Sequence, residues 1–143
     1  MLVSQILMEK GRDVVVIGPK ATLFEAANIL TRNRIGALLV QGLAGELAGI
    51  VSERDIVRAV ALDGPGALAR TVGECMTADV AVCEEIDTIA EIMETMTRCR
   101  FRHMPVVENG RVVGIISIGD VVKSRLAETV REAQALKEYI AAG

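Results

Sequence analysis

The segment Gly49-Ile50-Val51-Ser52-Glu53-Arg54-Asp55 returns 65 residues later as Gly114-Ile115-Ile116-Ser117-Ile118-Gly119-Asp120. A duplicated stretch constrains architecture before any local propensity does, because the same supersecondary unit must be built twice. The register extends well beyond the motif. Thr22-Leu23 matches Thr88-Ile89, and Arg32 and Arg34 match Arg98 and Arg100, all at a shift of 66. The run Ile35 to Val40 matches Phe101 to Val106 at the same shift, so the first copy carries one extra residue between Val40 and Gly49. Upstream, Val3, Ile6 and Leu7 match Val72, Cys75 and Met76 at a shift of 69, which reflects a longer connection through Glu9-Lys10-Gly11. The organisation expected is a first repeat over 1–66, a second over 67–127 and an extension over 128–143.

Local signals give each repeat the same order. Asp13–Ile17 is a β-branched run ended by Gly18-Pro19, hence a strand. Thr22, with Glu25 three residues on, reads as a capping-box start for a helix whose apolar face carries Leu23, Ala26, Ala27 and Leu30. Ile35 to Val40 and Leu47 to Val51 are strands around a turn at Gly42 to Gly45, and Ser52 opens a second helix through about Leu62. The unit is β-α-β-β-α, and Val80 to Val122 repeats it. The fold class is therefore α+β, and two such halves are expected to pack together because each has one apolar sheet face to cover. Beyond the repeat, Val122, Leu126, Val130, Ala133, Leu136 and Ile140 form one apolar stripe on a long helix. Two readings of that stripe stand side by side: packing on its own core, or contact with another subunit.

Composition narrows the function classes. The chain has 143 residues, 51% of them hydrophobic, and a mean hydropathy of +0.39. No stretch approaches the ~20 apolar residues of a membrane span, so the apolar excess is read as surface hidden between subunits. The net charge of −3 and three aromatic residues argue against a nucleic-acid surface. The beginning, Met1 to Asp13, lacks a secretory-signal pattern. Cys75, Cys83 and Cys99 show no zinc spacing and read as small buried groups in a reducing cytoplasm. The methionines read as core filling.

The repeated motif supports two chemistries. Ser-x-x-Asp where a strand gives way to a helix is close to a capping box, and carboxylates are favourable in a first helical turn. Taken alone, either copy reads first as a cap. The same geometry also makes an anion seat. A helix N-terminus presents N–H groups and partial positive charge to a phosphate, Ser52 and Ser117 add hydroxyls, and Asp55 and Asp120 can accept both hydroxyls of a ribose. Phosphate together with a vicinal diol is the signature of a nucleotide. The strands Gly36 to Val40 and Arg102 to Val106 are placed to offer backbone groups to a purine edge.

The chain resembles the tandem CBS-domain pair, named for a regulatory region of cystathionine β-synthase. The carrying residues are Arg102-His103-Met104-Pro105-Val106-Val107 and both Gly-x-x-Ser-x-x-Asp segments, with Leu39 standing where the family usually has proline. The resemblance implies two repeats related by a pseudo-twofold with two clefts between them, and adenosine-containing ligands: AMP, ADP, ATP, NAD(H) or S-adenosylmethionine. It also implies a disc-shaped homodimer. Carried over, Asp55 and Asp120 hold ribose, Ser52 and Ser117 lie near phosphate, and Ala37, Leu38, His103, Met104 and Pro105 flank the base. Thr77 joins them from just before the second repeat's first strand.

Other residues divide between structure and ligand. Arg32, Arg34, Arg98 and Arg100 fall near helix C-termini, where cations are favourable, or one of each pair reaches a ligand phosphate. Arg54 and Arg102 occur in one copy only and would make the two sites unequal. His103 is the only histidine, so duplicated acid–base chemistry has no duplicated base. The expectation is a non-catalytic, cytoplasmic energy or redox sensor with no catalytic cofactor or metal, a homodimer with a possible effector protein and no nucleic-acid or membrane partner. The alternative is a structural dimerisation or adaptor module with empty clefts.

Overall fold

The computed structural model describes residues 1–142. They fall into two compact units, Asp13–Ala81 and the discontinuous pair Met1–Arg12 with Val82 onward. The repeats of the sequence and the units of the structure are therefore different segments. Each unit takes most of one repeat and the opening helix of the other.

The continuous unit holds β1 (Val16–Ile17), α2 (Leu23–Asn33), β2 (Ala37–Gln41), β3 (Leu47–Ser52), α3 (Glu53–Asp63), a 3₁₀ turn (Pro65–Ala69) and α4 (Val72–Cys75). β1 pairs parallel to β2, and β2 antiparallel to β3. Leu23, Ala26 and Leu30 from α2 close over Leu38, Val40 and Val51 of the sheet, with Ala59 and Val72 completing the core. α2 begins where expected: the Thr22 hydroxyl accepts from the Glu25 N–H. Arg34 ends it in the left-handed conformation, φ 55°.

The discontinuous unit holds α1 (Val3–Lys10), α5 (Ile89–Cys99), β4 (His103–Glu108), β5 (Arg111–Ser117) and α6 (Ile118–Ala142). β4 and β5 form an antiparallel hairpin. Its turn, Asn109-Gly110, has positive φ at both residues (51° and 76°), the conformation that a two-residue hairpin loop asks of Asn-Gly. The strand expected from Val80 is reduced to one parallel bridge, Cys83 to Val106. Its alternation of Val with Ala and Cys lacks the unbroken β-branched run of Val14 to Ile17.

The opening helices change places between repeats, and they dock alike. In the continuous unit Val72 N–H donates to the Ala21 carbonyl at 2.7 Å and Gly73 N–H to that of Pro19 at 2.8 Å. In the other unit Val3 N–H donates to Asp87 at 2.9 Å and Ser4 N–H to Glu85 at 3.0 Å. These are the residues paired by the shifts of 69 and 66. The sequence reading found both shifts and missed the exchange, because like-for-like matching does not say which loop a helix meets.

α6 runs 25 residues and buries Val121 and Ser124. The apolar stripe is uncovered: Leu126, Val130, Leu136 and Ile140 are 62, 67, 59 and 68% exposed. Packing of this stripe on its own core does not occur. Two further expectations are corrected. Cys83 is buried, but Cys99 is exposed because it is the last residue of α5. Met96 and Met104 fill core, whereas Met8 is 79% exposed, on the outer face of α1.

Candidate functional site

Both motif copies build the same corner. β3 delivers Ser52 to the N-cap of α3, and β5 delivers Ser117 to the start of α6. Asp55 Oδ2 accepts from the Ser52 N–H at 2.8 Å and from its hydroxyl at 3.0 Å, while Ser52 Oγ accepts from the Asp55 N–H at 3.3 Å. Asp120 Oδ2 accepts from the Ser117 N–H at 2.9 Å, and Ser117 Oγ accepts from the Asp120 N–H at 3.1 Å. Each Ser–Asp pair is thus a reciprocal cap. The cap uses one carboxylate oxygen in each copy. The other, Oδ1, takes no part in it.

The helix start is less open than an isolated N-terminus. Glu53 N–H donates to the Gly36 carbonyl at 3.0 Å and Ile118 N–H to that of Arg102 at 2.8 Å. With the cap taking the amides of Ser52, Asp55, Ser117 and Asp120, the first-turn N–H groups left over are those of Arg54 and Gly119. An anion would meet one amide per corner together with the serine hydroxyl, instead of a full ring of amides.

The motif glycine has a steric reason that sequence reasoning did not supply. A Cβ on Gly49 would lie 2.6 Å from the Thr77 carbonyl oxygen and 2.8 Å from Met76 Sδ. A Cβ on Gly114 would lie 2.7 Å from Leu7 Cδ2. In each unit the glycine admits the segment borrowed from the other repeat.

The two corners differ in charge. The side chains of Asp55 and Asp120 are 9 and 23% exposed. Arg58 Nη1 stands 3.9 Å from Asp55 Oδ1. Lys10 Nζ donates to Asp120 Oδ2 at 2.7 Å and to the Ile115 carbonyl at 3.0 Å. Burial opposes ionisation of Asp120, but the Lys10 ammonium and the Ser117 amide outweigh it and hold the carboxyl below its ordinary value.

The remaining candidates are placed as follows. Thr77 is exposed and pairs with Ile50 through two backbone bonds, Ile50 N–H to Thr77 at 2.9 Å and the return at 2.8 Å. Ala37 and Leu38 open β2, directly across from Ser52 and Val51. His103 and Met104 are across from Ser117 and Ile116 in the same way. Leu38 and Met104 are 0 and 1% exposed, so their side chains belong to the core and what they offer a ligand is main chain. Pro105 is buried beside them, His103 is half-buried, and Arg54 and Arg102 are exposed. Arg34 and Arg100 occupy left-handed helix ends, and Arg32 and Arg98 the last turns before them, where a cation is favourable.

A groove of about 440 Å³ lies between α2 and α3, lined by Leu30, Thr31, Arg34, Gly36, Glu53 and Ile56 among others. Of the sequence-derived candidates only Arg34, one of the possible phosphate contacts, lines it; the Ser-x-x-Asp and base-flanking residues do not. Among the described residues no cluster of three His, Cys, Asp or Glu is placed to hold a metal ion, and no helix is long and apolar enough to cross a membrane.

Known proteins share this pattern. A CBS domain profile matches residues 3–62 and again 72–127. A mitochondrial CBS domain-containing protein of Arabidopsis thaliana is 35% identical over 150 residues, covering 99% of this chain and 72% of its own. The crystal structure of a CBS-domain containing protein from Agrobacterium tumefaciens is 49% identical, with a TM-score of 0.85 over 87% of this chain and 92% of that one. Two relatives were solved with ligands. A CBS domain protein from Pyrobaculum aerophilum, complexed with AMP, is 32% identical (TM-score 0.74; 84 and 89% covered). A CBS domain pair in complex with 5′-methylthioadenosine and S-adenosyl-L-methionine is 27% identical (TM-score 0.79; 90 and 98% covered). With two copies of the profile, docked helices in matching register and a Ser-x-x-Asp cap in each, the chain belongs to the CBS domain family as a tandem pair.

Proposed function

We propose that this chain is a non-catalytic regulatory module that binds an adenosine-containing ligand at its Ser-x-x-Asp corners and reports cellular energy or redox state to an effector protein. One observation carries the reading. In both copies the cap engages Oδ2 alone, so the carboxylate is oriented by its own helix while Oδ1 stays out of the cap. A sugar diol bound there would meet a pre-positioned acceptor. Relatives complexed with AMP, and with 5′-methylthioadenosine and S-adenosyl-L-methionine, support the ligand class. AMP, ATP and NAD(H) are the candidates for this chain. The reading places it in the cytoplasm, where exposed Cys99 stays reduced, although the Arabidopsis relative is designated mitochondrial.

A thermal-shift panel of AMP, ATP, NAD, NADH and S-adenosylmethionine tests this reading. A ligand at 100 times its dissociation constant adds about 2.7 kcal/mol to the state that binds it. No shift with any of the five refutes the sensor. It would favour a second reading, a dimeric adaptor whose Ser–Asp pairs serve only as caps, which the cap bonds themselves support.

The same module is a homodimer on this reading. The uncovered face of α6 carries Leu126, Thr129, Ala133, Leu136 and Ile140 at alternating spacings of three and four, the pattern of a coiled-coil seam. Glu132 and Lys137 flank it five residues apart, so two parallel copies set each Glu132 opposite the other's Lys137. An antiparallel pair would instead bring like charges together. The double substitution Leu126→Glu and Leu136→Glu should halve the mass measured by light scattering. An unchanged mass rules out this face.

A further inference from the structure

The two corners part at the residue that meets Ile50 or its counterpart Ile115. In the first motif the main chain of Thr77 runs beside Ile50 and exchanges two hydrogen bonds with it. Among the described residues no main chain outside the hairpin does this for Ile115. α4 stops at Cys75, whose counterpart is Ile6, but α1 continues through Lys10. The helix carries the backbone away, and a side chain takes over: Lys10 Nζ donates to the Ile115 carbonyl at 3.0 Å. The same ammonium lies 2.7 Å from Asp120 Oδ2. Among the described residues Asp55 has no such neighbour. Its nearest cation is Arg58, at 3.9 Å and 66% exposed.

We propose that Lys10 determines ligand specificity at the Asp120 corner, selecting adenosine ligands that carry a 5′-phosphate over those that do not. The inference rests on the reading of Asp120 as a sugar-binding group. A neutral diol reaching Oδ1 of Asp120 meets a carboxylate whose charge is already drawn toward the ammonium on Oδ2. A phosphorylated ligand brings its own anion. The lysine head, a point charge on a flexible four-carbon stem, then moves from carboxylate to phosphate while the diol takes the carboxylate. The ammonium keeps an anionic partner through the exchange, and the carboxylate gains the hydrogen bonds of the diol. With an unphosphorylated ligand the ammonium either keeps Oδ2, leaving the sugar a weakened acceptor at Oδ1, or gives up its anion with none in return. The Ser117 N–H bond to Oδ2 survives in either case, so the helix start need not open. The Lys10 side chain is 33% exposed, which leaves it free to swing. Relatives of both chemistries exist, one complexed with AMP and one with unphosphorylated 5′-methylthioadenosine. The choice between them therefore lies in individual residues and not in the fold.

Titration calorimetry on the full chain tests this, with AMP and adenosine as probes. Asp55→Asn is introduced throughout to isolate the Asp120 corner, because asparagine keeps an oxygen for the Ser52 amide. With Lys10 present, AMP should bind about 10-fold more tightly than adenosine. That is the lower end of what a charge-assisted bond gives, as the side chain remains a third exposed. Lys10→Met should bring the ratio close to one by weakening AMP while adenosine binds as well as before or better. Lys10→Arg should restore the preference. Lys10→Gln, which can still donate to Ile115, should behave like Lys10→Met and serves if that variant folds poorly. An unchanged ratio in both neutral variants, or equal weakening of both ligands, overturns the inference and leaves the adenosine reading standing. Failure of both ligands to bind the Lys10 protein overturns the adenosine reading at this corner and the inference with it.

Discussion

Replacing Asp55 by alanine takes one acceptor from two donors. Oδ2 serves both the amide and the hydroxyl of Ser52, and the side chain is only 9% exposed, so water replaces it poorly. A hydrogen bond to a charged group contributes ~1.5–3 kcal/mol, and losing a helix cap costs ~0.5–2 kcal/mol. Both figures describe the same box and are not summed; the expected cost is about 2 kcal/mol. Ser52→Ala removes the hydroxyl but leaves the Ser52 amide bonded to Asp55, so it should cost about 1 kcal/mol. The two side chains share the hydroxyl–carboxylate bond. The double variant should therefore cost about 2 kcal/mol instead of 3, a coupling near 1 kcal/mol. Urea unfolding followed by far-ultraviolet circular dichroism measures this in a chain without tryptophan, and hydrogen exchange of the α3 amides assigns the loss to this unit. Additive costs within ~0.3 kcal/mol, or an Asp55→Ala cost below ~0.5 kcal/mol, would refute the shared cap. Ligand work should accordingly use Asp55→Asn, since alanine confounds affinity with stability.

Gly49→Ala should destabilise more than Gly114→Ala, because the first Cβ meets a backbone carbonyl at 2.6 Å and the second meets the movable end of Leu7; equal melting temperatures would contradict this. Asp120 ionises more readily folded than unfolded, so its contribution is present above the ordinary carboxylate value and is lost as pH falls through the lower folded value. Thermal melts between pH 7 and pH 3 should show a smaller acid loss in Lys10→Met than in the parent, and parallel curves would refute the Lys10 contribution. Burial, with a lesser push from Asp87, raises the Cys83 thiol to about 12. An aromatic disulfide reagent at pH 8 should modify exposed Cys99 first and Cys83 only on unfolding; early labelling of Cys83 would contradict its burial.

The repeat was legible because its signals are local. Thr22 with Glu25 and Ser52 with Asp55 announce helix starts through contacts three residues apart, and the structure contains both hydrogen bonds, with Thr88 and Glu91 repeating the first. The hairpins were legible for the same reason. Long-range matters were not. That α1 docks on the loop of the second repeat depends on which partner a short apolar face of Val3, Ile6 and Leu7 meets. Lys10 on Asp120 joins residues 110 apart, and no periodicity connects them. The motif glycine was visible as a repeated letter, but its cause is the approach of a borrowed segment. Leu38 and Met104, taken from the family as base-flanking residues, have core side chains, since alternation along a strand fixes the face without saying what lies beyond it.

The exchange of opening helices has a consequence for synthesis. Val3, Ile6 and Leu7 are made about a hundred residues before the hairpin that shelters them, β4–β5. The unit spanning 13–81 is one continuous segment, so all of its own contacts are available once it has emerged. Its sibling must wait while a loop of some seventy residues closes. Until residues 103–117 emerge, the growing chain carries a greasy, unhoused amphipathic turn.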